Sequence, residues 1–297
     1  MKLITHDNCA DGLATAMIAL AAIPGIEVVF AQYGQPSLER LEPGPGLIFC
    51  DITPPRERAH EFVAVNAIVL DHHKHARDIV EMFGQQGVFA DEATEQGVSG
   101  ALLAYRNIWK TARQLGGPTP FGHAPGLSHV VEDFAILAGI RDTWQTSSPR
   151  WERAQDLHAV LMGLPREYWL RPGGIDRALD ADSSALGQMF RRRKTEQVQD
   201  LCDRGTIRMG SWAVFPSQPA LMSDAAEELR SRGCAVALGW FQIVKEGKVH
   251  TVCSLRSDGS VDVGDLCKRH GGGGHSRAAG CTLPTSDPLQ TIALLTS

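Results

Sequence analysis

Residues 69–76 read VLDHHKHA, an apolar run that closes on Asp71, His72 and His73. The same pattern occurs twice upstream: Leu47-Ile48-Phe49-Cys50 closes on Asp51, and Leu3-Ile4-Thr5 closes on His6. Short apolar runs ending abruptly on acids and imidazoles fit parallel strands whose carboxyl ends share one sheet edge, the edge where open α/β sheets carry their chemistry. Ile26 to Ala31 reads as a further strand. Between the runs lie helical stretches: the Ala-rich segment Gly12 to Ala22, and Pro54-Pro55 to about Val65, with proline expected in a first turn. This alternation predicts an α/β protein whose N-terminal sheet is mainly parallel and carries helices on both faces.

Further along, Ser99 to Gln114 is helical in pattern and Gly116-Gly117-Pro118 stops it; PTPFGHAPG (118–126) reads as a loop. A second helix, Ser128 to Ile140, runs into Arg141-Asp142-Thr143-Trp144. Residues 150–204 read as largely helical, with Arg191 to Lys194 as a solvated face. After Gly205 the character changes. Trp212 to Phe215, Ala235 to Val244 and Lys248 to Leu255 read as strands, Ser223 to Arg232 as a helix, and Glu246-Gly247 as a hairpin turn. A short helix over 262–269 precedes RHGGGGHSRAAG. The expected organisation is a first domain over 1–148, a helical connector over 149–205 and a smaller C-terminal α/β domain over 206–297.

Composition narrows the function. The chain of 297 residues is 43 % hydrophobic and 21 % charged with a net charge of −5, so a coat for long nucleic acid is not expected, whereas a small anion gripped locally is. Seven scattered cysteines without a CxxC pair point to reduced thiols and a cytoplasmic location. The longest apolar run, Leu13 to Ile23, falls short of the roughly 20 residues of a membrane span, so no membrane partner is expected. The start MKLITHDNCADG does not read as a signal peptide.

Single acids at strand ends are common turn formers. The set is what carries meaning: His6 with Asp11, Asp51, Asp71 with His72 and His73, and Asp142 at a helix end. Carboxylates and imidazoles without paired thiolates favour Mn²⁺ or Mg²⁺ over structural zinc. One carboxylate between two half-sites could bridge a pair of ions roughly 3.5–4 Å apart, an arrangement that clamps a phosphoryl group. Gly271 to Gly274, followed by His275, would let the backbone approach an anion, but no Walker lysine follows.

The combination of THDNCADG, FCD, VLDHHKHA, RDTW and GGGGHSRAAG resembles the DHH phosphoesterase family with its C-terminal DHH-associated domain, in order from His6 to Gly280. That family includes nanoRNases and cyclic-dinucleotide phosphodiesterases, and the NCADG spelling is similar to its exopolyphosphatase-related branch. The resemblance implies a binuclear metal-dependent phosphoesterase that hydrolyses phosphodiester bonds of short oligonucleotides or linearised cyclic dinucleotides by a metal-bridging hydroxide. It implies two divalent cations, Mn²⁺ first and Mg²⁺ as the alternative. Asp51 would bridge them; Asp11, His72 and Asp142 would complete one site and His6 would serve the other. Asp71 would orient an imidazole and His73 would face the scissile phosphate. Gly272, Gly273, Gly274, His275 and Arg277 would grip the substrate, with the smaller domain closing over it. Ser99 would open a helix near the anion or simply cap it.

One departure stands out. The family's first motif usually carries two aspartates two apart, and here the earlier position is Cys9. Asn8 or Cys9 is then left to supply the missing ligand, and the His6 site is expected to bind its ion less tightly or with a different preference. The expected partner is a small nucleotide or short oligonucleotide, and a homodimer is left open. The alternatives are an exopolyphosphatase or nucleotide phosphatase, and a catalytically weak nucleotide-binding protein.

Overall fold

The computed structural model describes all residues except 24, 92–94, 96, 115–124, 246, 286, 288–289, 291–292, 294 and 296–297, and gives the backbone alone of 108–114 and 125–128. The chain divides into two compact units, Met1–Arg191 and Arg192–Ser297.

The first unit is built on five parallel strands, β1 (Lys2–His6), β2 (Glu27–Ala31), β3 (Leu47–Cys50), β4 (Ile68–Asp71) and β5 (Gly87–Phe89), in the order β2-β1-β3-β4-β5. Successive residues of a strand face opposite sides of the sheet, and the cores follow that rule. Leu3, Ile48, Cys50, Ile68 and Leu70 belong to one core; Ile4, Leu47, Phe49 and Val69 belong to the other. Each fully buried side chain of this kind contributes about 1.5–3 kcal/mol by leaving water. Continuous apolar strands are therefore what a sheet covered on both faces requires.

Helices α1 (Ala10–Ala22), α2 (Pro36–Glu39), α3 (Ala59–Ala64), α4 (Arg77–Glu81), α5 (Gly100–Gln114), α6 (Pro125–Asp142), α7 (Trp151–Gly163), α8 (Arg166–Trp169) and α9 (Gly174–Leu179) complete this unit. Residues of α1, α5, α6, α7 and α9 fill the first core, and Leu38, Phe62, Ile79 and Val80 of α2 to α4 fill the second. Helix α10 (Ala181–Arg204) runs through the division between the units.

The second unit is a smaller mixed sheet. Strands β6 (Ile207–Met209), β7 (Trp212–Pro216), β8 (Val236–Lys245), β9 (Lys248–Ser257), β10 (Gly273–His275) and β11 (Ala278–Leu283) lie in the order β10-β11-β9-β8-β7-β6. Only β7 and β8 run parallel, because α11 (Pro219–Ser231) makes the crossover between them. Ala213, Phe215 and Ala237 pack with α11 and the end of α10, whereas Val214, Val236 and Leu238 pack on the opposite face with Val263 and Cys267 of α12 (Val263–Arg269). The Asp262 carboxylate accepts a hydrogen bond from the Asp265 amide at 2.9 Å and caps α12.

The α/β class, the parallel first sheet with helices on both faces and the smaller C-terminal unit all match the sequence reading. Three local features differ. The helix expected from Pro54-Pro55 starts later: both prolines lie outside any helix, Pro55 with ψ of 136°, a single 3₁₀ turn covers Arg56–Arg58, and α3 begins at Ala59. Strand β5 and helix α2 carry too few residues to show a period. Pro125 and Gly126, expected in a loop, open α6. The stop at Gly116–Pro118, the loop over 118–124 and Glu246 of the hairpin turn lie outside the described residues. The Arg191–Lys194 run lies on α10, where Arg191 pairs with Glu152 and Asp156, Arg192 with Glu196, and Lys194 with Asp224. No helix among the described residues is long and apolar enough to cross a membrane.

Candidate metal centre

In the order β2-β1-β3-β4-β5 the chain leaves β1 toward one edge and β3 toward the other, so a crevice opens beyond the carboxyl ends of β1 and β3. His6 is the last residue of β1, and Asp51 follows the last residue of β3. Next to them, β4 ends on Asp71 and leads into His72 and His73. Asp11 sits in the first turn of α1, and Asp142 is the last residue of α6. Five separate elements therefore deliver one group of side chains to one place.

The ring of His72 is the hub. Its Nε2 lies 3.2 Å from Asp51 Oδ1, 3.5 Å from Asp142 Oδ2 and 3.9 Å from Asp11 Oδ2. Among the described residues three sets of donor atoms gather within 4.8 Å of one another and could hold a metal ion: His6, Cys9 and Asp51; Asp51, His72 and His73; and Asp11, His72 and Asp142. Asp51 is common to the first two sets and His72 to the last two, so the sets form one continuous cluster.

Local conformation holds this cluster in place. Asp51 takes a left-handed backbone with φ of 68°, which an aspartate tolerates better than most residues, and its amide donates to the Leu70 carbonyl at 3.1 Å. Asp11 is clamped by α5: the amides of Gly100 and Ala101 donate to Oδ2 at 2.6 Å and to Oδ1 at 3.1 Å. The helix N-terminus considered for an external anion is thus filled by the chain's own carboxylate. Ser99 is fully buried and its Oγ accepts from the Leu102 amide at 3.3 Å, so it caps the helix. Gly100 is required by this packing. A Cβ there would lie 2.8 Å from Asp51 Cγ and 2.9 Å from Asp11 Oδ2, and closer still to Asp51 Cβ.

The electrostatics are those of crowded carboxylates. Burial and the charges of Asp11 and Asp142 push Asp51 well above the usual carboxylate range. Loss of water and the charge of Asp11 push Asp142 up to about 6. Burial and the neighbouring His73 charge lower His6, which favours the neutral imidazole a metal ligand needs. Burial and the charges of Asp51 and Asp11 raise the Cys9 thiol, whose Sγ lies 3.9 Å from Asp51 Oδ2. His73 is raised: burial opposes its charged form, but the hydrogen bond and charge of Asp71 overcome that. Asp71 Oδ1 accepts from both the backbone amide and Nδ1 of His73 at 2.8 Å. Its other oxygen is buried without a hydrogen-bond partner.

Of Asn8 and Cys9, the two alternatives for the missing ligand, Cys9 joins His6 and Asp51, while Asn8 is exposed with a left-handed φ of 55°; both line a neighbouring cavity. The other expected substrate contacts lie in the second unit. Gly273, Gly274 and His275 form β10, paired with Ala278 to Gly280 of β11, and Arg277 is exposed beside Gly259. Two of those glycines answer to packing. A Cβ on Gly272 would meet Cys281 Cβ at 2.5 Å, and Gly274 has φ of 139° with Ala279 Cα 2.6 Å from a Cβ position. The glycine run is thus partly a strand of a tight hairpin and not wholly an open loop.

Residues 218–294 match the DHHA1 domain, and the fold extends over the whole chain to a structure of the pGpG-specific phosphodiesterase PggH from Vibrio cholerae, at 14 % identity and a TM-score of 0.56, covering 99 % of this chain and 97 % of that one. The second unit therefore carries a DHHA1 domain. Further similar structures are an uncharacterised protein from Helicobacter pylori G27 (14 % identity, TM-score 0.47, 100 % and 99 % covered) and an exopolyphosphatase-related protein from Bacteroides fragilis (11 % identity, TM-score 0.47, 99 % and 91 % covered). No curated protein matches the sequence. The sequence motifs found the cluster but not its supports: the Asp11 clamp and the spacing role of Gly100 arise from three-dimensional contacts, and only the Ser99-Gly100 pair hinted at them.

Proposed function

We propose that this chain is a metal-dependent phosphoesterase of the DHH family that cleaves phosphodiester bonds of short oligonucleotides or linearised cyclic dinucleotides. The observation that carries the reading is the convergence of His6, Asp11, Asp51, His72 and Asp142 at the mouth of the β1/β3 crevice, with Asp51 and His72 each shared between donor sets. The site fits divalent cations on its own chemistry. Three carboxylates surround one imidazole nitrogen within 3.9 Å, and two of them are held above their usual range by burial and by the neighbouring carboxylate charge.

His6, Cys9 and Asp51 would hold one cation, and Asp11, His72 and Asp142 would hold the second with Asp51 between them. Bound there, divalent cations such as Mn²⁺ or Mg²⁺ supply Lewis-acid polarisation of a phosphoryl group and acidify water at neutral pH. The chain does the rest. Asp11, fixed by two α5 amides, and Asp51, fixed by its backbone turn, keep their oxygens preorganised. Asp71 binds Nδ1 of His73 and so leaves Nε2 as the nitrogen available to a substrate oxygen; the raised basicity of that ring lets it stabilise charge developing on phosphate or carry a proton toward the leaving oxygen. The second unit's Gly272, Gly273, Gly274, His275 and Arg277 would contact the rest of the substrate.

Cys9 favours a second reading, nucleotide binding with weak turnover. A thiol raised by burial is a poor partner for Mn²⁺. Incubation with Mn²⁺ and a panel of pGpG, pApA, cyclic dinucleotides, polyphosphate and pAp, with products resolved by chromatography, separates the readings. Release of mononucleotides from the dinucleotides supports the proposal. Release of phosphate from polyphosphate or pAp alone points to a phosphatase, and tight binding of uncut dinucleotide points to the second reading.

A further inference from the structure

A cavity of about 340 Å³ opens in the first unit beside the candidate centre. Its walls come from Leu13 of α1, two residues beyond Asp11, and from elements that the cation cluster does not use: Phe30 of β2, Leu161 and Met162 of α7, and Leu164 beyond it. Cys9 lines the cavity and also stands 3.9 Å from Asp51 Oδ2, so one end of the cavity reaches the centre itself. The volume suits a small molecule, and an apolar wall of Leu13, Phe30, Leu161, Met162 and Leu164 meets a few polar groups, Asp7, Asn8, Arg166 and Glu167: the features of a small-molecule subsite.

The polar groups of this cavity say what kind of molecule it would take. The Arg166 guanidinium lies 4.6 Å from the centroid of the Phe30 ring, so a planar cation and an aromatic face are already stacked there. That guanidinium is not a free anion receptor. Its Nη1 donates to Asp7 Oδ1 at 2.9 Å, and its Nε lies 3.6 Å from Glu167 Oε1. Two carboxylates against one guanidinium leave the rim acidic, which repels phosphate and favours an uncharged planar group with N–H donors. Asp7 Oδ1 also accepts from the Asn8 amide at 2.9 Å, so the acid is positioned by the motif that carries Cys9.

We propose that this cavity is a nucleobase subsite: it holds the base of the substrate against Phe30 and the aliphatic wall, with Asp7 and Glu167 selecting a base whose edge presents N–H donors, guanine in preference to adenine. The proposal rests on the nucleotide reading above and deepens it. Guanine offers a ring N–H and an amino group on one edge, both of which a carboxylate can accept, whereas adenine presents a ring acceptor at the equivalent place. A base seated here lies beside Cys9 and puts the phosphate attached to its sugar within reach of the cation cluster.

The test is equilibrium binding of GMP and AMP, by calorimetry with Mn²⁺ present, to the full-length wild type and to Met162→Trp and Glu167→Gln, with thermal melts confirming that each variant folds. Met162 is 46 % exposed at the cavity rim, so an indole there can fill the opening without rebuilding a core. Wild type should bind GMP roughly tenfold or more tightly than AMP; Met162→Trp should weaken GMP by at least about tenfold, the worth of one stacked base, and Glu167→Gln should narrow the gap between the two nucleotides. Equal GMP affinity in wild type and a folded Met162→Trp overturns the subsite, and equal GMP and AMP affinity in wild type overturns the edge selection. Dinucleotide hydrolysis without measurable GMP binding would sink the subsite and leave the phosphoesterase reading standing; GMP binding lost in Met162→Trp, without hydrolysis of any dinucleotide, would do the reverse.

Discussion

Replacing Gly100 by alanine sets two physical effects against each other. Gly100 is the first residue of α5, and on propensity alone alanine should stabilise that helix by up to about 1 kcal/mol. The added methyl, however, would sit 2.8 Å from Asp51 Cγ and 2.9 Å from Asp11 Oδ2. Carbon atoms in contact prefer about 3.5–4.0 Å, so Asp51 or the helix start must move by roughly 1 Å. Both partners resist: Asp51 is 2 % exposed in a left-handed turn, and Asp11 is bound to the α5 amides. Overpacking of this kind costs about 1–3 kcal/mol, so the net result is a loss of stability of a few degrees in Tm. An error of about 1 Å in a reacting group costs on the order of a hundredfold in rate. The expectation for Gly100→Ala is therefore a slightly less stable protein with kcat for the proposed dinucleotide substrate reduced about a hundredfold and weakened Mn²⁺ binding. Melting, calorimetric Mn²⁺ titration and single-turnover kinetics read the three effects separately. A variant as stable and as active as wild type would refute the claim that α5 presses directly on the bridging position.

His72→Ala and Asp51→Asn should each abolish turnover while leaving a folded protein by circular dichroism; asparagine is the suitable probe at 51 because it tolerates the left-handed backbone. Cys9→Asp should raise Mn²⁺ affinity at the His6 half-site by about tenfold or more, read by metal titration at limiting Mn²⁺, since it replaces a neutral thiol by an oxygen anion. Asp142 is raised to about 6, so the cation-free protein is favoured below its ordinary range and loses that contribution as pH climbs through about 6; the increase in Tm on adding Mn²⁺ should accordingly be larger at pH 7.5 than at pH 5.5. Asp71→Asn should remove the anion that keeps His73 basic and shift the alkaline limb of the pH–rate profile toward lower pH.

The readable part of this molecule was the part governed by local pattern. Apolar runs ending on His6, Asp51 and Asp71 announced strands and their edge, because a buried parallel strand needs unbroken apolar residues and its C-terminal end does not. The boundaries of the first helices escaped, since two prolines can either open a helix or, as at Pro54-Pro55, hold the chain away from one. The glycine run was read for openness, yet Gly272 and Gly274 serve a hairpin whose partner, β11, lies immediately downstream and leaves no periodic trace. The clamp on Asp11 and the cavity beside Cys9 depend on α5, α7 and α8 arriving from 89 or more positions away, and no spacing in the first motif reports that.

The amides of α5 that grasp Asp11 also bear on how the enzyme is assembled. Part of the negative charge gathered at the strand ends is already balanced by a helix terminus, so the architecture can settle before any ion arrives. A protein built this way should give up a bound divalent cation to a chelator and take it back without unfolding.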